Sequence, residues 1–192
     1  CKYFGETYCK DLYSEMKGSL RGHFKEVAIH LFLPYFELVA KFLKKGLRGF
    51  STDETIVFET LSIHNQDELR HIEEAYKKEA GKDLNKEIEK NFSGAMKKNL
   101  LNLLYTPRSE NPNPDPGECE RLAGSLIEAG EANWVGNENI FKDIFVIRSP
   151  EELVLISRYY MQKTGNNILD VIEKVKGYTY TFHNDIIVDY DD

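Results

Sequence analysis

Apolar residues along this chain recur at steps of three and four. In Asp67-Glu-Leu-Arg-His-Ile-Glu-Glu-Ala-Tyr76, Leu69, Ile72 and Tyr76 share one helical stripe while most charges take the other side. The same spacing predicts helices over approximately Pro34–Lys44, Thr52–Ser62, Gln66–Glu79, Leu84–Lys90 and Gly94–Leu104. It predicts five more over Gly117–Ala129, Asn137–Ile147, Pro150–Lys163, Asn167–Lys174 and Tyr178–Val188. Start signals agree: Ser51 and Thr52 precede Asp53 and Glu54, and Ser149 precedes Pro150, Glu151 and Glu152. Gly81 and Gly165 fall where a left-handed cap closes a helix. Strand signals are confined to Tyr178–Phe182 and Ile186–Val188, both too short to outweigh the helical period. The expected fold class is all-α.

An internal repeat organises these helices. At a shift of 84 residues Phe50 falls on Trp134, Glu54 on Glu138, Leu69 on Leu153, Ile72 on Ile156, Tyr76 on Tyr160 and Gly81 on Gly165. Two unrelated amphipathic helices would share core positions, but not loop glycines and a loop aromatic at the same offset. Asp11 through Gly22 also matches Asp83 through Gly94 at a shift of 72, so the chain opens in mid-repeat. Between Thr106 and Gly117 lie four of the six prolines, which delete donors and fix φ, so an extended connector is expected there. The resulting plan is a partial repeat over 1–33 holding its last two helices, a repeat over 34–105, a link over 106–117 and a repeat over 118–192.

Composition narrows the function. The net charge is −7 and no basic stripe is evident, which argues against nucleic acid and against a simple electrostatic grip on anionic lipid; a net-acidic protein needs a local basic patch or a bridging cation to sit there. The richest apolar stretch, Val27 to Leu43, is broken by His30, Pro34, Glu37 and Lys41, so no membrane span is expected. Cys1, Cys9 and Cys119 are odd in number and irregular in spacing, which fits free thiols and a cytoplasmic setting, with a Cys1–Cys9 pair as the alternative. His64 and His71 lie about 10 Å apart along a helix, too far to share a metal. No phosphate-cradling glycine loop or nucleophile elbow occurs, and nothing suggests an enzyme.

Gly49-Phe-Ser-Thr-Asp-Glu54, between two expected helices, resembles the loop signature of the annexin family, Lys-Gly-x-Gly-Thr-Asp-Glu. Ala40-Lys-Phe-Leu-Lys-Lys45 and Asn65-Gln-Asp-Glu-Leu69 fit the same pattern, and Glu128-Ala-Gly-Glu-Ala-Asn-Trp134 resembles the variant loop of the third annexin repeat. The resemblance implies five-helix repeats in a right-handed superhelical arrangement, covering the end of repeat one, repeat two and repeat three. It implies a peripheral membrane scaffold on anionic phospholipid, with calcium as the bridging ion. Loop carbonyls would ligate Ca²⁺, and a carboxylate some forty residues later would complete its oxygen cage.

Carried over residue by residue, the resemblance gives a degenerate site. In repeat two the carbonyls would be those of Leu47, Gly49 and Ser51, with Asn91 where the family has its carboxylate. In repeat three they would be those of Gly130, Asn133 and Val135, with Val175 at the carboxylate position and Glu173 nearby as a substitute. The equivalent in repeat one is Ser19. Losing a bidentate carboxylate removes two ligands and a charge, so weak calcium binding is expected. Phe50 and Trp134 are expected as exposed loop tips that dip into the membrane, with Lys45 and Arg48 touching headgroups. The eroded carboxylates raise an alternative, a calcium-independent structural or cytoskeleton-associated relative of the giardin type. A third reading is a plain helical adaptor, and unpartnered helix faces make self-association plausible.

Overall fold

The computed structural model describes residues 2–48, 52–134 and 136–174, and among these there is no strand. Three helices come first: α1 (Lys2–Tyr8), α2 (Leu12–Ser19) and α3 (Gly22–His30). The partial unit therefore holds one helix more than the two expected. α1 was not legible because its apolar residues face no core: Tyr3 and Tyr8 are exposed. The first full unit follows as α4 (Tyr35–Gly46), α5 (Glu54–Ile63), α6 (Gln66–Ala80), α7 (Leu84–Asn91) and α8 (Gly94–Tyr105). The second is α9 (Pro116–Ala129), α10 (Glu138–Ile140) running into a π-helical stretch Phe141–Val146, α11 (Pro150–Thr164) and α12 (Ile168–Lys174). The expected helix over 178–188, like the strand signals, lies outside the described residues.

Repetition in sequence becomes repetition in geometry. α6 opens on a capping box, Asn65 with Glu68, and α11 opens on another, Ser149 with Glu152, 84 residues on. Each side chain satisfies a backbone N–H that the first helical turn leaves without a partner. Both helices close on a left-handed glycine, Gly81 at φ 70° and Gly165 at φ 75°, a conformation that a Cβ would penalise. Leu69, Ile72 and Tyr76 are buried, and so are Leu153, Ile156 and Tyr160. α4 packs along α6, and α9 along α11, in the same way.

The two units share one core. Phe58 of α5 meets Phe141 edge-on at 6.1 Å between ring centroids, and Lys98 of α8 pairs with Glu138 of α10 at 2.6 Å. A cleft of about 420 Å³ lies between the two units. It is lined by the α5–α6 turn (Ile63, His64, Asn65), by the proline-rich connector (Pro107, Arg108) and by the start of α11 (Pro150). α3 is built differently from its counterpart at the 72-residue shift. Val27 and Leu31 are exposed, whereas Asn99 and Leu103 of α8, packed under α5 and α10, are buried.

Candidate functional site

The α4–α5 connection is positioned from both ends. α4 buries Val39, Ala40 and Leu43 on one stripe, which presents Lys41, Lys44, Lys45 and Arg48 along another side of the same helical path. Close approach to α5 favours a glycine at 46, where a Cβ would meet the Ile56 side chain at a tight 3.3 Å. The Gly46 carbonyl accepts from the Asp53 amide at 2.8 Å, and Asp53 then caps α5 by accepting from the Ile56 amide. The C-terminal ends of α4 and α6 lie side by side there: Lys44 Nζ donates to the Glu79 carbonyl at 2.8 Å and to its carboxylate at 2.7 Å. Arg48 donates to the Ala80 carbonyl at 3.4 Å. Carbonyls of a last helical turn lack intrahelical donors, so cations are the natural groups to meet them. The Lys44 hydrogen bond is the largest influence holding the Glu79 carboxyl below its ordinary range.

The α9–α10 connection, residues 130–137 against 47–53, is one residue longer and has a different interior. Gly130, at φ 76°, starts a 3₁₀ turn over Glu131–Asn133. The Gly130 carbonyl accepts from the Asn133 amide at 2.9 Å, and the Asn133 carbonyl from the Asn137 amide at 2.8 Å. Asn137 caps α10 through the Ile140 amide, as Asp53 caps α5.

Of the residues expected in the site, Gly49, Phe50, Ser51 and Val135 lie outside the described residues. Lys45 and Arg48 are exposed as expected, and Leu47 is buried at the end of α4. Asn91 ends α7 with its Nδ2 donating to the Glu87 carbonyl at 2.8 Å, which leaves Oδ1 unspent among the described residues. Gly130 and Asn133 line the second connection, with their carbonyls already accepting one backbone donor each. Glu173 falls in α12, and its side chain is not among the described ones.

Trp134 corrects the expectation of an exposed tip. It is 2% exposed, and its indole N–H donates to the Leu126 carbonyl at 2.9 Å. Its ring stands edge-on to Tyr160 at 5.4 Å and tilted against Phe145 at 6.4 Å. The physical reason is that α9's last turn offers an otherwise unpaired carbonyl to the only polar atom of a ring that is otherwise apolar. Sequence reasoning also missed Tyr160, whose hydroxyl donates to the Glu131 carboxylate at 2.8 Å and ties the loop to α11. Burial first, and then that bond, push the Tyr160 phenol up to about 12.

Its counterpart Tyr76 is equally buried, but Leu47 stands where Glu131 would be and its hydroxyl has no hydrogen-bond partner among the described residues. Two substitutions should therefore diverge in urea unfolding. Tyr160→Phe is expected to cost about 1–2 kcal/mol through loss of a bond to a charged acceptor. Tyr76→Phe is expected to be neutral or to stabilise by up to about 1 kcal/mol, since it removes an unsatisfied buried hydroxyl.

As a metal site these two connections differ. The described donors are backbone and amide oxygens, the right kind for a hard cation such as Ca²⁺. Among the described residues no group of three or more His, Cys, Asp or Glu is placed to hold a metal. The first connection does not fit: the side chain expected to complete it is the neutral amide of Asn91, and the Asp53 carboxylate is engaged in capping α5. The second fits better, because the carbonyls of Gly130 and Asn133 lie in one short turn with the Glu131 carboxylate between them in sequence. Among the described residues no helix is long and apolar enough to cross a membrane.

The annexin family model matches residues 39–103, which run from α4 to α8. Human annexin A13 is 31% identical over 168 residues, 88% of this chain and 53% of that protein. The chain belongs to the annexin family. Among solved annexins, chicken annexin V in complex with Zn²⁺ superposes with a TM-score of 0.79 at 28% identity, covering 92% of this chain and 56% of that one. Calcium-bound alpha-1 giardin shares the fold with a TM-score of 0.72 at 19% identity, covering 92% of this chain and 58% of that one. The chain spans about half the length of the annexins it matches.

Proposed function

We propose that this annexin docks peripherally on anionic phospholipid through its α4–α5 and α9–α10 connections. One observation carries the reading. The α5–α6 turn and the start of α11 line the same cleft, so the C-terminal ends of α5 and α10 lie on one side of the molecule. The two connections lead into the opposite ends of those helices. α5 has ten residues, about 15 Å of rise, so its connection lies well away from that cleft, and in this reading both connections face one flat surface. Family membership supports calcium as the bridging ion. Within the chain, the carbonyls of Gly130, Asn133 and Val135, with a carboxylate from Glu131 or Glu173, would hold it. What Ca²⁺ supplies when bound is a bridge between lipid phosphate and an acidic protein surface. Asn91, Leu47, Gly49 and Ser51 of the first connection offer too little charge to share that role. Phe50 remains a proposed apolar contact, with Lys45 and Arg48 as headgroup contacts. Trp134, buried under α9, supports the packing of the connection and is not one of the contacts.

The neutral Asn91 favours a second reading, a calcium-independent structural or cytoskeletal role. Sedimentation with vesicles containing phosphatidylserine separates the two. Binding that strengthens when Ca²⁺ is added is the expected result. If the chain stays in the supernatant with Ca²⁺ and with chelator alike, lipid docking is wrong, and filament capture without lipid would then support the second reading.

A further inference from the structure

The two connections carry opposite charge. At the first, Lys41, Lys44, Lys45 and Arg48 lie at steps of three, one and three along the path of α4, and the carboxylates at that end are Asp53, Glu54 and Glu79. At the 84-residue shift the four cations become Ser125, Glu128, Ala129 and Ala132, and Leu47 becomes Glu131. The three carboxylates become Asn137, Glu138 and Lys163. Four cations face three carboxylates at the first connection, and one cation faces three carboxylates at the second.

The pairing within the first connection sharpens the contrast. Lys44 pairs with Glu79, and the Asp53 carboxylate, still charged, caps α5 through the Ile56 amide. Lys45 and Arg48 are exposed and Lys41 half-buried, and none of the three forms an ion pair among the described residues. Arg48 keeps a single long bond to a backbone carbonyl. Asn91 stands at the expected carboxylate position of the same connection, where three cations lack a direct ion pair among the described residues and Lys41 and Arg48 meet the Glu79 charge only through space.

We propose that the α4–α5 connection is a metal-independent docking site for anionic phospholipid headgroups, bound by Lys41, Lys45 and Arg48 directly. The proposal rests on the orientation argued above, in which both connections meet the membrane. It divides the labour between them: the first binds by charge alone, and the second, being acidic, binds only through a bridging cation. Each unpaired Lys or Arg at an anionic surface is worth about fivefold in affinity, and salt screens the attraction.

The test is vesicle co-sedimentation of the full chain in chelator, on phosphatidylcholine with and without phosphatidylserine. The expected result is binding that requires phosphatidylserine and falls as salt is raised from about 0.1 M to about 1 M. Lys45→Gln/Arg48→Gln should weaken that binding about 25-fold and leave the increment on adding Ca²⁺ in place. Lys45→Arg/Arg48→Lys should retain it, because a diffuse field and not a fixed fork is at work. Wild-type binding only with Ca²⁺ would overturn this proposal while leaving peripheral docking intact, and no binding under either condition would remove both. If the glutamine variant binds as the wild type does and only melts at lower temperature, the two cations are helix caps and the proposal fails.

Discussion

Trp134→Ala should lower the unfolding free energy by about 3–5 kcal/mol, the largest single loss expected among the residues of the two connections. Three contributions add. The ring is 2% exposed, so truncation opens a cavity between α9, α10 and α11. Its edge-on contact with Tyr160 and tilted contact with Phe145 disappear, each worth about 0.5–1.5 kcal/mol beyond area burial. The Leu126 carbonyl loses its donor at the end of α9. Trp134→Phe refills most of the volume but not the bond, so it should recover more than half of the loss. Urea unfolding followed by circular dichroism measures both variants without the fluorophore that they remove. In the wild type the same burial predicts blue-shifted emission from the only tryptophan, poorly quenched by acrylamide. Red-shifted, readily quenched emission would show that the exposed position first expected for this residue is the correct one.

Much of the fold was legible because its boundaries are written in local chemistry. Asn65 with Glu68 and Ser149 with Glu152 can be read as capping boxes without a structure, and Gly81 and Gly165 as left-handed caps. The helices they bound ended within about two residues of expectation, the usual uncertainty of helix ends. The placements that failed depend on tertiary neighbours. Trp134 sits outside any regular helix, so no periodicity reports which way its ring turns. The turn was decided by the free carbonyl of Leu126, eight residues earlier in the chain. The π-helical stretch of α10 was equally hidden: residues 54–63 and 138–147 align without a gap, yet the second pairs Ile147 with the Lys142 carbonyl, five residues back. The two segments differ in apolar positions, with Phe58 on Lys142, Thr60 on Ile144 and Ser62 on Val146, but no residue type there marks i-to-i+5 bonding. α1 was missed for a simpler reason, the absence of any core for its residues to face.

The candidate site was legible to different depths. Lys45 and Arg48 were readable as exposed cations because they fall off the stripe that Val39, Ala40 and Leu43 bury. Asn91 was readable as a neutral residue at the expected carboxylate position, and the bond to the Glu87 carbonyl adds which of its two amide atoms is left. Glu131 was passed over altogether. It lies in a short polar loop where any carboxylate looks solvated, and only α11 shows that a buried tyrosine holds it.

Arg148→Met should cost about 2–3 kcal/mol, because it strands a carboxylate that is nearly buried. The guanidinium joins three segments: Nε donates to the Asp143 carbonyl at 2.9 Å, one terminal nitrogen reaches Glu118 of α9 at 3.3 Å, and the other reaches Glu152 of α11 at 3.5 Å. Glu152 cannot turn away to water, since its second oxygen accepts the Ser149 amide at 2.8 Å in the capping box. Ser149 in turn donates to the Asn111 carbonyl, which brings the proline-rich connector into the same network. At the corresponding place in the first unit His64 and Tyr35 form one hydrogen bond of 2.7 Å, so the ionic arrangement belongs to the second unit alone of the two. Arg148→Met/Glu152→Gln should recover part of the loss by removing the stranded charge, and a double-mutant cycle in urea gives the coupling. The pH dependence gives a separate check. Arg121's hydrogen bond, and behind it the charges of Arg121 and Arg148, hold the Glu118 carboxyl below its ordinary range. That contribution is therefore present above the unfolded carboxylate value of about 4.3 and fades as pH falls through the lower folded one. Because Arg121 is the larger cause, Arg148→Met should keep most of this acid slope while losing stability at neutral pH. A variant that lost the slope and kept its neutral stability would instead assign the network to Glu118 and Arg121, with Arg148 a bystander.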